Sequence, residues 1–334
     1  MRMAVIGAGS WGTTVASLVA ERSDVTLWAR RPDLAEAINA GENPDYLPGV
    51  ELPPIRATSD LAEALGGAQA VLLAVPSHGF RAVLEAAPPI PSDVPILSLT
   101  KGIEQGSGMR MTEVVRDVLP DHRGAAIGVL SGPNLAKEIV AGEPAATVVA
   151  LRDLELAEIL QRAIMTRRFR VYTNNDVIGA EICGALKNVM AIAAGMITGM
   201  RFGLNTSAMF VTRALAEMAR LGMRLGSNPL TFGGLAGLGD LVATSMSPLS
   251  RNHSVGARLG AGETIEEILA TSAQVAEGVK TTPPVLSLAE REGVEMPIVE
   301  EVGRVLRGES MPLQSVERLM TREAVSEGHG IIEP

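Results

Sequence analysis

Two patterns of apolar and polar positions divide the chain. As far as residue 175, short apolar runs recur: Met3–Gly7, Val25–Ala29, Ala70–Val75, Ile96–Leu99, Ala126–Leu130, Ala145–Ala150 and Phe169–Tyr172. Most are apolar at consecutive positions and stop at glycine, proline or a polar residue, which is how a strand buried on both faces reads. Helical stretches at Thr13–Glu21, after Pro32 and at Leu61–Leu65 fall between them. Strand alternating with helix predicts an α/β fold with a doubly wound sheet. Gly41–Pro54, rich in glycine and proline, reads as a loop.

After Thr173-Asn174-Asn175-Asp176, a dense set of helix N-cap candidates, the pattern becomes helix after helix. The first carries Cys183–Arg201, where Lys187 is the only charge between Glu181 and Arg201. A helix apolar all round is buried, and burial lowers a lysine's pKa; the alternative is an amine snorkelling to the surface. Gly184, Gly195 and Gly199 permit close backbone approach, and the expected partner is the glycine-rich 233–239 segment, which would bring Asp240 towards the ammonium. The next helix is expected to open at Asn205 or Thr206 and end near Gly222. Thr264 with Glu267 has capping-box spacing, and Pro297 and Gly308 bracket a further helix. The division is therefore a dinucleotide-binding, Rossmann-like domain over 1–175 and an all-α C-terminal domain over 176–334, with a loose tail from Ser326.

Composition narrows the function. Aromatics make up only 3% of the 334 residues, so both cores must be aliphatic. A net charge of −9 argues against general attraction to nucleic acid or anionic membranes, so any phosphate site must be local. The single cysteine, Cys183, excludes an intrachain disulfide, and MRMAVIGAGSWG reads as strand and turn rather than as a leader. The apolar run around Lys187 falls short of the roughly 20 residues of a membrane span, which predicts a cytoplasmic protein. His78, His122, His253 and His329 show no metal-ligand spacing, so no metal is expected.

The candidate chemistry begins at Gly7-Ala8-Gly9-Ser10-Trp11-Gly12, between the first strand and the first helix. In that context it is a dinucleotide fingerprint: Gly7 for the tight turn, Gly9 for approach of a pyrophosphate, Gly12 for helix packing. The second strand ends in Arg30-Arg31 rather than an acidic residue, which suits a 2′-phosphate; the expected cofactor is NADP(H), with NAD(H) as the alternative. Lys101 follows a strand at the end where open sheets bind ligands, and Ser131-Gly132-Pro133-Asn134 is read as opening a helix whose amides can hold an anion. Asp240 and Thr244 share a helix face at i, i+4, and Ser250-Arg251-Asn252 offers a cation and several donors in one turn, a grip for a phosphate monoester.

Seven blocks in order, GAGSWGT, TKGIE, SGPNLAKE, ALKNVMAIAAG, GLAGLGDL, SRN and VAEGVKT, make the chain resemble the bacterial NAD(P)-dependent glycerol-3-phosphate dehydrogenases over nearly its whole length. The resemblance implies reversible reduction of dihydroxyacetone phosphate to sn-glycerol 3-phosphate, a supply for phospholipid synthesis, by an enzyme compatible with a homodimer. It implies Lys187 as the catalytic proton donor and acceptor. Lys101, Gly132, Asn134, Asp240, Ser250, Arg251 and Asn252 would surround the glycerol phosphate, with Asn188 and Thr244 in support. It implies cofactor contacts from Ser10, Trp11, Arg30 or Arg31, Lys101, Ala136, Arg251, Val275 and Glu277. Three positions depart from the pattern: Asn134 stands where Ser or Thr is common, Ser245 for a frequent Cys, and His253 for a usual Arg. Two rival readings are a ketopantoate or 3-hydroxy acid dehydrogenase of similar layout, and a dinucleotide-binding regulator without turnover.

Overall fold

A computed structural model describes residues 1–272, 276–324 and 326–327, so Val275, His329 and most of the tail lie outside the described residues. The chain forms two compact units, Met1–Thr100 with Met109–Val177, and Lys101–Gly108 with Ile178–Pro334.

The first unit holds ten strands: β1 (Arg2–Ile6), β2 (Asp24–Trp28), β3 (Glu42–Asn43), β4 (Leu47–Glu51), β5 (Arg56–Thr58), β6 (Ala70–Leu73), β7 (Ile96–Ser98), β8 (Ile127–Ser131), β9 (Ala145–Ala150) and β10 (Phe169–Asn174). Eight of them make one sheet in the order β10-β9-β8-β7-β6-β1-β2-β5. From β5 to β8 every pairing is parallel; β9 then runs antiparallel to β8, and β10 parallel to β9. The winding reverses between β1 and β6, whose last residues Ile6 and Leu73 are partners. Ligands of open α/β sheets bind beyond the strand ends at such a reversal.

Alternate residues of each strand feed different cores, which is why the strands read as continuous apolar runs. Met3, Val5, Leu27, Leu72 and Leu97 pack with Val15 and Val19 of helix Ser10–Ala20 and Leu34 and Ile38 of helix Pro32–Asn39. Ala4, Ile6, Val71, Leu73 and Ile96 pack with Phe80, Leu84, Val114 and Val115 on the other face. Two local expectations change here. The segment 41–54 contains the antiparallel hairpin of β3 and β4, pinned by the fully buried Asn43 and by Leu47 and Leu52, anchors too sparse to show a period. The helix after Ser131 begins only at Ala136, with Leu135 at its N-cap; Asn134 donates its amide to Thr147 Oγ1 (2.9 Å) and caps nothing.

In the second unit the 23-residue helix Val177–Gly199 is buried without a break from Gly179 to Ile192. Ile182, Leu186, Val189 and Met190 meet Phe210, Ala214, Met218 and Leu221 of helix Leu204–Arg224, and Val285 and Leu288 of helix Glu277–Glu292. Helix Leu204–Arg224 opens from an extended Gly203, upstream of the expected Asn205 or Thr206, after the chain turns through Arg201 at φ 62°. Thr264 and Glu267 form a reciprocal capping box, and Gly308, at φ +71°, follows helix Pro297–Leu306. By length and mean hydropathy (1.5) Val177–Gly199 is apolar enough to cross a membrane even though its charge-free run is short; 89% of that window is buried inside the protein.

The partner of its glycines also differs from expectation. Gly195 and Gly199 press on helix Arg251–Gly260, not on the 233–239 segment: a Cβ on Gly195 would lie 2.1 Å from the His253 carbonyl oxygen, and one on Gly256 would lie 1.9 Å from that of Ile192. Glycine on both sides lets two backbones touch, and this fixes Ser250–Asn252 beside the lysine helix. Gly256→Ala should therefore force the helices apart and lower stability by about 1–3 kcal/mol, measured as the shift in urea unfolding midpoint at unchanged m-value. An unshifted midpoint would show that the crossing yields without strain.

Candidate functional site

The glycine turn at the end of β1 has the shape its sequence requires. Gly7 has φ +116°, and a Cβ there would lie 2.6 Å from the Ala74 carbonyl oxygen; one on Gly12 would lie 1.8 Å from that of Gly7. Around Gly9 nothing lies within 4 Å of where a Cβ would be. Gly9 is the N-cap of helix Ser10–Ala20 and offers no side-chain cap to the helix's first amides, and the first turn holds no acidic residue. An open approach to bare amides at the positive end of a helix suits a phosphate-bearing dinucleotide. The Trp11 indole Nε1 is buried without a hydrogen-bond partner among the described residues, and its ring lies 6.3 Å from that of Phe169. Ser10 donates its hydroxyl to the Tyr46 carbonyl (3.0 Å).

At the end of β2, Arg30 and Arg31 are both exposed. Arg31 is ion-paired with Asp45 and, at 3.6 Å, with Asp33, so much of its charge is already answered by carboxylates. Gly132 follows β8 at φ +154°. Near it Ser131 Oγ and Asn134 Oδ1 are buried without partners among the described residues, and Ala136 opens the short helix Ala136–Val140.

The second unit brings its chemistry together around one carboxylate. A single π-helical turn, Leu235–Gly239, delivers Asp240 at the first position of helix Asp240–Met246; wide turns of this kind concentrate at functional sites. Asp240 is 1% exposed and Lys187 7%. Lys187 Nζ donates to Asp240 Oδ1 (2.7 Å) and Thr244 Oγ1 (2.6 Å), and Thr244 donates to the same Oδ1 at 3.2 Å, the i, i+4 pairing legible in the sequence. Lys101 Nζ takes the other oxygen, Oδ2, at 2.6 Å.

Two ammoniums on one carboxylate leave the cluster with net positive charge. Burial lowers the Lys187 pKa to about 8; Asp240 opposes that shift and Lys101 adds to it. For Asp240, burial favours the neutral acid, but the two lysines outweigh it and hold the carboxyl below the usual range. The result is a lysine whose proton can leave near neutral pH beside a fixed carboxylate. It suits stabilising and protonating an oxygen on which negative charge develops.

Behind these groups runs an amide chain. Gly278 N donates to Asn252 Oδ1 (2.9 Å), Asn252 Nδ2 to Asn188 Oδ1 (3.0 Å), and Asn188 Nδ2 to the Lys101 carbonyl (3.0 Å). Asn252, read as a phosphate donor, thus commits one N–H and its oxygen to the scaffold. Ser250 is the N-cap of helix Arg251–Gly260 and accepts from His253 N (3.3 Å), and Arg251 is exposed at the first helical position. His253 is buried with Nε2 3.2 Å from Thr198 Oγ1, and burial lowers its pKa; it serves the helix crossing. Ser245 Oγ is buried without a partner among the described residues. Glu277 opens helix Glu277–Glu292, and Val275 is not among the described residues. Sequence reasoning missed Asn43, whose only signal was a lone asparagine in an assumed loop.

Comparison with known proteins agrees across the chain. Family models described as NAD-dependent glycerol-3-phosphate dehydrogenase N-terminus and C-terminus match residues 2–157 and 176–317. A glycerol-3-phosphate dehydrogenase [NAD(P)+] of Streptomyces coelicolor is 52% identical over 333 residues, covering 98% of both chains. One from Sphingopyxis alaskensis is 48% identical over 332 residues, covering 98% of this chain and 99% of its own. The crystal structure of glycerol-3-phosphate dehydrogenase from Coxiella burnetii superposes with a TM-score of 0.89 at 37% identity, covering 96% of this chain and 99% of that one.

Proposed function

Because the chain belongs to the NAD-dependent glycerol-3-phosphate dehydrogenase family, and is an oxidoreductase using a nicotinamide dinucleotide, we propose that Lys187 is the proton donor and acceptor of its reaction. The observation that carries this reading is the buried ammonium held between Asp240 and Thr244. The bound dinucleotide supplies or accepts the hydride. Lys187 then gives its proton to the C2 oxygen of dihydroxyacetone phosphate, or takes it from the C2 hydroxyl of sn-glycerol 3-phosphate. Lys101 stabilises the same oxygen by charge. Asp240 and Thr244 keep the amine aimed.

Arg251, with Ser250 and the uncommitted N–H of Asn252, grips the phosphate, and Gly132 and Asn134 complete the substrate contacts. Gly7, Gly9, Ser10, Trp11, Gly12, Ala136, Val275 and Glu277 serve the dinucleotide. With Arg31 engaged by Asp45 and Asp33, a preference for NADP(H) rests on Arg30, and NAD(H) remains the second reading. The product supplies phospholipid synthesis from the cytoplasm.

The test is a steady-state assay of dihydroxyacetone phosphate reduction with NADPH and NADH in parallel across pH. Reduction needs protonated Lys187, so its kcat/KM should stay level at low pH and fall as pH rises through about 8; oxidation of glycerol 3-phosphate needs the free amine and should rise through the same value. Two profiles that move in the same direction would remove Lys187 from proton transfer.

A further inference from the structure

The hairpin of β3 and β4, which no part of the proposed chemistry uses, sends one side chain under the dinucleotide turn. Asn43 is fully buried, and every hydrogen-bonding direction of its amide but one acceptor lone pair is engaged. Its Nδ2 donates to the Ala8 carbonyl (3.1 Å) and to Thr13 Oγ1 (2.8 Å), while its Oδ1 accepts from Tyr46 N (3.2 Å). The Tyr46 carbonyl in turn accepts from Ser10 Oγ (3.0 Å). The hairpin is therefore tied to the turn and its helix three times, at Ala8 before Gly9 and at Ser10 and Thr13 after it.

The bond to Ala8 has a directional consequence. A trans peptide is planar, and its C=O and N–H point in opposite directions. Holding the Ala8 oxygen inward on Asn43 turns the Gly9 N–H of the same peptide outward. That is the residue with open space around it at the head of the helix. The bond to Thr13 fixes the first helical turn relative to the same amide. We propose that Asn43 is the positioning residue of the dinucleotide site, orienting the Ala8–Gly9 peptide so that the Gly9 amide is presented to the anionic pyrophosphate. This rests on dinucleotide binding by the glycine turn.

The direct test is the dissociation constant of NADPH and of NADH, measured by calorimetry without substrate, for wild type, Asn43→Asp, Asn43→Ser and Thr13→Val. Asn43→Asp keeps the size and the acceptor for Tyr46 N but removes both donors; Asn43→Ser removes both amide donors without adding charge, leaving a shorter hydroxyl. Thr13→Val removes one acceptor and leaves the Ala8 bond. The expected result is an increase of about tenfold in cofactor dissociation constant for both Asn43 variants, and less than threefold for Thr13→Val. At saturating cofactor, kcat and the KM for dihydroxyacetone phosphate should stay near wild type, a split that general loss of structure would not produce.

Folded Asn43 variants that bind cofactor as wild type does would overturn the proposal. So would a Thr13→Val loss equal to theirs, or failure of both Asn43 variants to fold, which would make Asn43 a fold residue only. Absence of binding by the wild-type protein would instead sink the dinucleotide reading itself.

Discussion

Replacing Lys187 by methionine should lower kcat for dihydroxyacetone phosphate reduction by about 10²–10⁴-fold, the range that a positioned general acid supplies. The dissociation constant for NADPH should change less than twofold. Methionine keeps the unbranched stem and suits a helix whose Cys183, Leu186 and Met190 belong to the buried apolar core. The partner left behind is not stranded, because Asp240 Oδ2 still holds Lys101 at 2.6 Å and Thr244 still donates to Oδ1 at 3.2 Å. Folding should therefore survive, and the rate loss can be read as lost chemistry rather than lost structure. Removing the amine also removes the break near pH 8 from whatever rate remains. A variant that retains most of the wild-type kcat, or that keeps this break, would show that the proton comes from elsewhere.

A single charge in a long apolar run marks Lys187 but also fits an amine snorkelling to the surface; the ordered blocks around it, not the run, favoured the buried reading. Asp240 and Thr244 were legible as a pair because helical spacing alone places i and i+4 on one face. What no spacing conveys is the partner of a small residue. Gly195 and Gly199 announced a close approach, but the partner was helix Arg251–Gly260, since a missing side chain carries no information about what fills its place. Strand direction was hidden for a related reason. An apolar run buried on both faces is the same read either way, so β9 looked like any other strand although it opposes β8. Asn43 was invisible because its role depends on three partners, Ala8, Thr13 and Tyr46, at distant or irregular positions. The local geometry of the glycine turn, by contrast, was written in Gly7 and Gly12, which tolerate no Cβ.

Asp240→Asn should be as damaging as loss of Lys187, by a different route that the pH profile reveals. The substitution keeps the shape but replaces a carboxylate oxygen shared with an ammonium by an amide that presents N–H donors to one of two cations. Breaking a buried ion pair by removing one partner typically costs about 3–5 kcal/mol, because the remaining charge is uncompensated. Lys187 can escape that penalty by releasing its proton. Burial and Lys101 already lower its pKa to about 8, and Asp240 is the main force holding it up. Without the carboxylate the break in kcat/KM for reduction should move to lower pH, leaving little protonated lysine at neutrality. The rate at pH 7 should fall by about 10²-fold or more, the scale of a lost general acid, and part of it should return on acidification. In the oxidation direction the proposed role makes the free amine the active form, so the neutral-pH loss there should be smaller. An Asp240→Asn enzyme whose break stays near pH 8 would show that this carboxylate does not set the charge of the lysine.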